Sequence, residues 1–346
     1  MLFNLDNDKE NLEPKNSELV SDTVEKVQEA QEELNNQELT SEVVSSEPAV
    51  VSSKDSDVKI TTKNVFDILD VEDGSNVMHV DARIARKLKK ASNKKRSKDG
   101  SENLKNSENA VIEVKNVSKY YLSGNTVTRV LRNVSVTINK GEFVMIFGKS
   151  GGGKSTLLNL ISGLDRPSKG DVVVCDNNLP YLNDWALTLF RRDHISFIFQ
   201  NYNLLQNLTG YDNVETGSYL QKKKELKLDI NKLFEEFDME DVKHKYPSQM
   251  SGGQQQRISI LRALAKNAEI IFADEPTGAL DDKTTEIVLS YLFDINKKYG
   301  TTIVMVTHNP MIEAIADKII HVRKGRISDV ILNKNPKHPS ELDWKE

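Results

Sequence analysis

The run Gly148-Lys149-Ser150-Gly151-Gly152-Gly153-Lys154-Ser155 follows the apolar stretch Phe143 to Phe147 and precedes Thr156-Leu-Leu-Asn-Leu-Ile161, which is spaced as a helix. It has the form G-x-x-x-x-G-K-[ST], and a strand before it with a helix after it is the context in which that form reads as a phosphate loop. The glycines let backbone N–H groups turn inward around an anion at the positive end of the helix. Lys154 then offers a point charge to the β and γ phosphates of a nucleotide, and Ser155 offers a hydroxyl to Mg²⁺. Gly148 to Ser155, with Thr156, are the expected nucleotide-binding residues.

Working outward, short apolar strands at Phe143 to Phe147, Ile270 to Ala273 and Thr302 to Thr307 alternate with helical stretches, as in a buried parallel sheet. Alternating patterns at Val111 to Val117 and at Val134 to Ile138, the latter followed by the turn Asn139-Lys-Gly141, predict an antiparallel sheet at the start of the folded region. Asp274 and Glu275 end the second apolar strand, at the edge where open α/β sheets bind ligands. Asp274 suits Mg²⁺, and Glu275 suits the attacking water, which it would orient and deprotonate.

The discriminating stretch is Met250-Ser251-Gly252-Gly253-Gln254 before the helical run Gln255 to Leu264. Read alone, Ser251 is a helix N-cap and the two glycines a turn. With the phosphate loop and the acidic pair, the run resembles the signature of the ABC ATPase family. Gln200 after Ile195 to Phe199, Ala279-Leu-Asp281 after Glu275-Pro-Thr-Gly278, and His308 after Thr302 to Thr307 fall in that family's order. The resemblance runs from Ala110 to roughly Val330. It implies a parallel core sheet, an antiparallel β subdomain and an α-helical insertion at about 200–249.

The same resemblance implies roles for individual residues. Ser251, Gly252, Gly253 and Gln254 would meet the γ phosphate bound on a second copy or a homologous subunit, an anion at a helix N-terminus. Gln200 would sense Mg²⁺ and the water, Asp281 would join the two halves, and His308 would contact the γ phosphate. Tyr121 is the expected adenine-stacking residue, with Tyr120 beside it as competitor. The details look most like the lipoprotein-releasing, macrolide-exporting and cell-division ATPases. Met250, Gly152 and Asn309 depart from the common pattern without removing a catalytic group.

Composition bounds the rest. Of the 346 residues, 29% are charged, and no run of roughly eighteen apolar residues occurs. No export signal follows Met1, which predicts a cytoplasmic protein, peripheral on the inner face of the cell membrane. The single Cys175 excludes an intramolecular disulfide and reads as a half-buried strand residue. Residues 1–109 are expected to be a disordered, low-complexity extension. Over Met1 to Ala82 there are 20 acidic against 6 basic residues, and over Arg83 to Lys98 nine basic and no acidic ones. The basic run reads as a solvated linker, a helix on anionic lipid or a nucleic-acid contact. Val65 to Val71 is a candidate docking segment, and residues 331–346 a loosely held tail.

The expected function is an ATP-hydrolysing subunit with Mg²⁺, working as a dimer and driving an integral-membrane permease. The alternatives are a regulatory ATPase that signals through a membrane partner, and an ABC protein acting on nucleic acid or the ribosome. The last usually carries two cassettes or a long inserted coiled coil, so no nucleic-acid partner is expected.

Overall fold

The computed structural model describes residues 49–51, 61–62, 64–69, 76–92, 94–278 and 280–344. Its strands are β1 (Ala49–Val51), β2 (Val77–Val80), β3 (Ala110–Ser123), β4 (Thr126–Asn139), β5 (Phe143–Phe147), β6 (Lys169–Val174), β7 (Asn177–Asn178), β8 (Ile195–Phe199), β9 (Ile270–Asp274), β10 (Thr302–Thr307), β11 (Lys318–Arg323) and β12 (Arg326–Leu332). The helices are α1 (Ala82–Ala91), α2 (Lys154–Ile161), α3 (Asp184–His194), α4 (Gly210–Leu220), α5 (Ile230–Glu236), α6 (Gly252–Ala265) and α7 (Asp282–Tyr299).

The core sheet runs β12-β11-β5-β10-β9-β8, parallel except for the β11–β12 hairpin. Its central strands are apolar throughout because both faces are covered, and successive side chains serve opposite faces. Phe143, Met145, Ile271, Ala273, Ile303 and Met305 face the layer of α4 to α7. Val144, Ile146, Ile270, Phe272, Val304 and Val306 face α2, α3 and the antiparallel sheet. Helix starts are fixed by side-chain caps: Thr209 with Asp212 at α4, Ser251 with Gln254 at α6, and Asp281 at α7. The expected helical insertion is present as α4 and α5 between β8 and α6.

The antiparallel sheet runs β1-β2-β4-β3-β6-β7. Here the structure corrects the expected boundary at Ala110, because chain before it is folded. β2 pairs with β4, Met78 opposite Val127, and α1 is capped by Asp81, whose carboxylate accepts from the N–H groups of Arg83 and Ile84 at 2.8 Å. Ile84, Ala85 and Leu88 of α1 join Val65, Phe66, Leu69, Met78 and Val80 in a buried cluster over Tyr120 and Val127. Nine residues of the basic run, with Ala82, thus form an amphipathic helix on the chain's own sheet, and Val65, Phe66 and Leu69 of the candidate docking segment pack there too. Average composition hid this, since a few apolar residues suffice when a paired edge strand supplies the other half of the cluster. The expectations for residues 1–48, 52–60 and 70–75 lie outside the described residues.

The tail is also tied down. The Asn333 N–H donates to Asp317 O at 2.9 Å, the Lys337 N–H donates to Ala314 O at 3.0 Å, and Leu342 and Trp344 pack against the helical side of the core.

Candidate nucleotide site

Strand register assembles the site. Phe147 lies opposite Thr307, Val306 opposite Asp274, and Phe199 opposite Asp274, so β5, β10, β9 and β8 finish level. The next residues, Gly148, His308, Glu275 and Gln200, therefore leave the sheet along one edge, the carboxyl edge where parallel sheets bind ligands.

The phosphate loop is held from behind. A Cβ on Gly148 would lie 2.2 Å from the Val322 carbonyl oxygen, which only glycine tolerates. Gly153 caps α2 at φ +105°, and a Cβ there would meet Leu131 Cδ2 at 2.9 Å. The Gly325 N–H, in the β11–β12 turn, donates to Gly152 O at 3.1 Å. Lys154 is 6% exposed, and its ammonium donates to Gly148 O at 2.7 Å and Lys149 O at 3.1 Å. Those carbonyls hold the charge where phosphate oxygens would replace them. Lys149, Ser150 and Gly151 form the turn, and Thr156 lies on α2.

Ser155 Oγ donates to Asp274 Oδ1 at 3.4 Å. Burial, and then the neighbouring Glu275, push the Asp274 carboxyl above its usual range. A hydroxyl and a carboxylate facing each other fit a hard cation, and a cation there would relieve the charge that burial penalises. Mg²⁺ therefore suits Ser155 and Asp274.

Glu275 has φ +47°, a left-handed backbone held by its N–H donating to Val306 O at 3.0 Å. Its Oε1 lies 3.3 Å from His308 Nδ1. Gln200 reaches the same place: a Cβ on Gly278 would sit 3.0 Å from Gln200 Nε2 and 3.5 Å from Glu275 Oε2. Glu275, Gly278, Thr307, His308 and Asn309 line a cavity of about 150 Å³. Gly278 has a part here that its place in the sequence does not reveal. Its bare backbone is what lets Gln200 approach Glu275, and glycine before a helix looks the same whatever the reason.

The two tyrosines separate by face. Tyr120 is buried, stacked on Phe66 at 5.7 Å, while Tyr121 is 41% exposed. Tyr121 Oη donates to Asp165 Oδ2 at 2.8 Å, and the Lys119 ammonium lies 4.8 Å from its ring centre. Burial and that carboxylate push its phenol up to about 12, so the ring stays neutral and is fixed near Thr156 at the start of α2.

Ser251 and Gly252 are exposed. Ser251 Oγ accepts from the Gln254 N–H at 3.2 Å, and Gln254 Oε1 accepts from the Ser251 N–H at 2.9 Å. A Cβ on Gly253 would lie 2.5 Å from Thr284 Cγ2, and Thr284 donates to Asp281 through its N–H at 2.9 Å and its hydroxyl at 2.8 Å. The signature and Asp281 thus form one unit. No hydrogen bond among the described residues joins Ser251 or Gln254 to the phosphate loop.

Residues 131–278 match the family described as ABC transporter. A putative ABC transporter ATP-binding protein of Mycoplasma pneumoniae, the MG065 homolog, is 47% identical over 237 residues, 68% of this chain and 51% of that protein. The chain thus spans about half the length of that relative. The ABC transporter ATP-binding protein MJ0796 of Methanocaldococcus jannaschii is 42% identical over 228 residues, 63% of this chain and 95% of that protein. Its dimeric structure superposes with a TM-score of 0.59 at 38% identity, over 65% of this chain and 99% of that one. A second dimeric structure, of a post-hydrolysis state with ADP and Pi, gives a TM-score of 0.58 at 38% identity, over the same shares of both chains. The macrolide export ATP-binding/permease protein MacB 1 of Yersinia pestis is 42% identical over 63% of this chain and 34% of its own length.

Proposed function

Because this chain belongs to the family of ABC transporter ATP-binding proteins, we propose that it binds and hydrolyses ATP between two copies of itself and thereby drives a separate membrane permease. The observation that carries the reading is the division of the site. Gln200, Glu275, His308 and the phosphate loop share one sheet edge, whereas the hydrogen bonds of Ser251 and Gln254 among the described residues stay within the signature and Asp241 and do not reach that loop. One chain then holds two half-sites, and a two-fold dimer completes both.

In the closed dimer, Tyr121 stacks on adenine and Lys154 exchanges its two backbone carbonyls for phosphate oxygens. Mg²⁺, when bound at Ser155 and Asp274, neutralises charge on the phosphates. Glu275 takes a proton from the water that attacks the γ phosphate, while His308 Nδ1, 3.3 Å from its carboxylate, holds it and Gln200 meets the water from the end of β8. Ser251 and the N–H groups of Gly252 and Gly253 face the same phosphate from the other copy.

The same reading gives the permease a place to act. Between β8, α4 and α6 lies a cavity of about 290 Å³ lined by Phe197, Phe199, Leu220 and Arg262 among others. Its wall runs directly into Gln200, so a helix seated there would feel the nucleotide through that residue. No helix among the described residues is long and apolar enough to cross a membrane. We place the protein on the cytoplasmic face of the membrane, held by that contact.

The test is Glu275→Gln in the full chain. It should bind ATP, lose turnover by about 10²- to 10⁴-fold, and run as a dimer on gel filtration with ATP. A monomer with wild-type turnover would sink the reading.

A further inference from the structure

At the opposite edge of the core sheet, three side chains from three elements converge. Cys175 sits in the β6–β7 turn at φ +45°, His194 ends α3, and Glu269 enters β9. One ligand atom from each lies within 4.8 Å of the other two. His194 Nδ1 lies 2.7 Å from Glu269 Oε1, and Phe190 packs against the imidazole at 5.4 Å between ring centres. The strand between Glu269 and Glu275 separates this cluster from the nucleotide site by roughly 20 Å at the usual rise per residue.

A Cys-His-Glu trio also suggests a nucleophile with its base and orienting acid. The geometry favours neither attack nor a relay: the His194 imidazole is engaged by Glu269 at 2.7 Å, and burial followed by the Glu269 charge pushes the thiol up, so it stays protonated until a cation binds it. What remains is a sulfur, a nitrogen and an oxygen donor facing one point. The side chains of His194 and Glu269 are 28% and 52% exposed, which leaves an approach from solvent.

The geometry points to a divalent transition-metal site, best matched to Zn²⁺, formed by Cys175, His194 and Glu269 with a fourth position open to water. Bonds of about 2.3 Å to sulfur and 2.0–2.2 Å to nitrogen and oxygen place tetrahedral ligand atoms roughly 3.3–3.8 Å apart. The trio therefore needs shifts of about an ångström or less, including opening of the hydrogen bond between His194 and Glu269. Thiolate and imidazole select zinc-like ions over Mg²⁺ and Ca²⁺, so the Mg²⁺ used with ATP does not compete. The site joins the β6–β7 turn of the antiparallel sheet to the entry of β9 in the core sheet, so its effect is on the packing of one sheet against the other.

The chain's single cysteine makes the experiment specific. Chelator-treated full-length protein is titrated with Co²⁺, which reports a bound thiolate by a sulfur-to-metal charge-transfer band, and then with Zn²⁺ in competition. One equivalent should raise the band, Zn²⁺ should abolish it, and Cys175→Ser should lack it while hydrolysing ATP normally. His194→Gln and Glu269→Gln should keep the band and weaken the metal by at least about tenfold each. Absence of the band in the wild type overturns the site. So does a band of unchanged affinity in both His194→Gln and Glu269→Gln, which marks a solitary thiol.

Discussion

Glu275, the proposed base, sits on a backbone that a β-carbon disfavours, and such a conformation costs about 1–3 kcal/mol where the surroundings enforce it. The enforcing contact is its N–H on Val306 O, which aims the carboxylate at His308 and Gln200. Glu275→Gly should therefore abolish turnover without lowering the thermal midpoint, a pairing a differential scan and an ATPase assay would check together. The neighbouring tyrosines make a second pair. Tyr121→Ala should weaken ATP binding by about tenfold to a hundredfold with little change in stability, since base stacking is worth about 1–3 kcal/mol. Tyr120→Ala should cost about 3–5 kcal/mol of stability, measured by urea unfolding, because its ring is buried against Phe66. The order of chemistry-bearing residues was legible in the sequence, since each follows an apolar strand. The choice between Tyr120 and Tyr121 was not, because it depends on Phe66, more than fifty residues earlier.

At the scale of elements, α1 turns a basic run into part of the fold. Ile84→Ala should destabilise the protein by about 2–5 kcal/mol in urea unfolding, whereas a solvated linker would give no change. The junction of α3 and β8 carries a different dependence. The Lys266 ammonium, beyond the end of α6, donates to Arg191 O at 2.8 Å and to Ile195 O, and burial pulls its pKa down to about 8. The unfolded chain keeps the usual value near 10.5, so between about 8 and 10.5 it binds more protons than the folded one. Stability therefore rises with pH across that window and the gain is lost as pH falls through the folded value. Unfolding midpoints of wild type and Lys266→Met at the two ends of the window should differ in this slope, and an equal slope would assign it elsewhere. None of this was visible in the local pattern: Lys266 reads as an ordinary basic helix end, and its carbonyl partners come from α3 and β8.

For the whole molecule, the question is whether the signature acts on its own chain's nucleotide or on a neighbour's. The sequence showed both parts and their order but not their separation, which arises because α4 and α5 intervene before α6 and because Ser251 and Gly252 face solvent. Ser251→Arg, placed in the Glu275→Gln background, tests this directly. The capping hydroxyl is lost at a cost of about 1 kcal/mol, which a folded domain of this size withstands, and a bulky cation stands where the partner's phosphate would come. If the signature completes a neighbour's site, the double variant binds ATP as a monomer with nearly unchanged affinity and no longer dimerises. Lys154→Ala, in contrast, loses binding and dimerisation together, since Lys154 lies at the centre of the phosphate loop. Fluorescent-nucleotide titration separates the first effect and light scattering with ATP the second. Loss of monomer affinity in Ser251→Arg equal to that in Lys154→Ala would mean that one chain forms a complete site, and the two-chain closure proposed for this protein would fall.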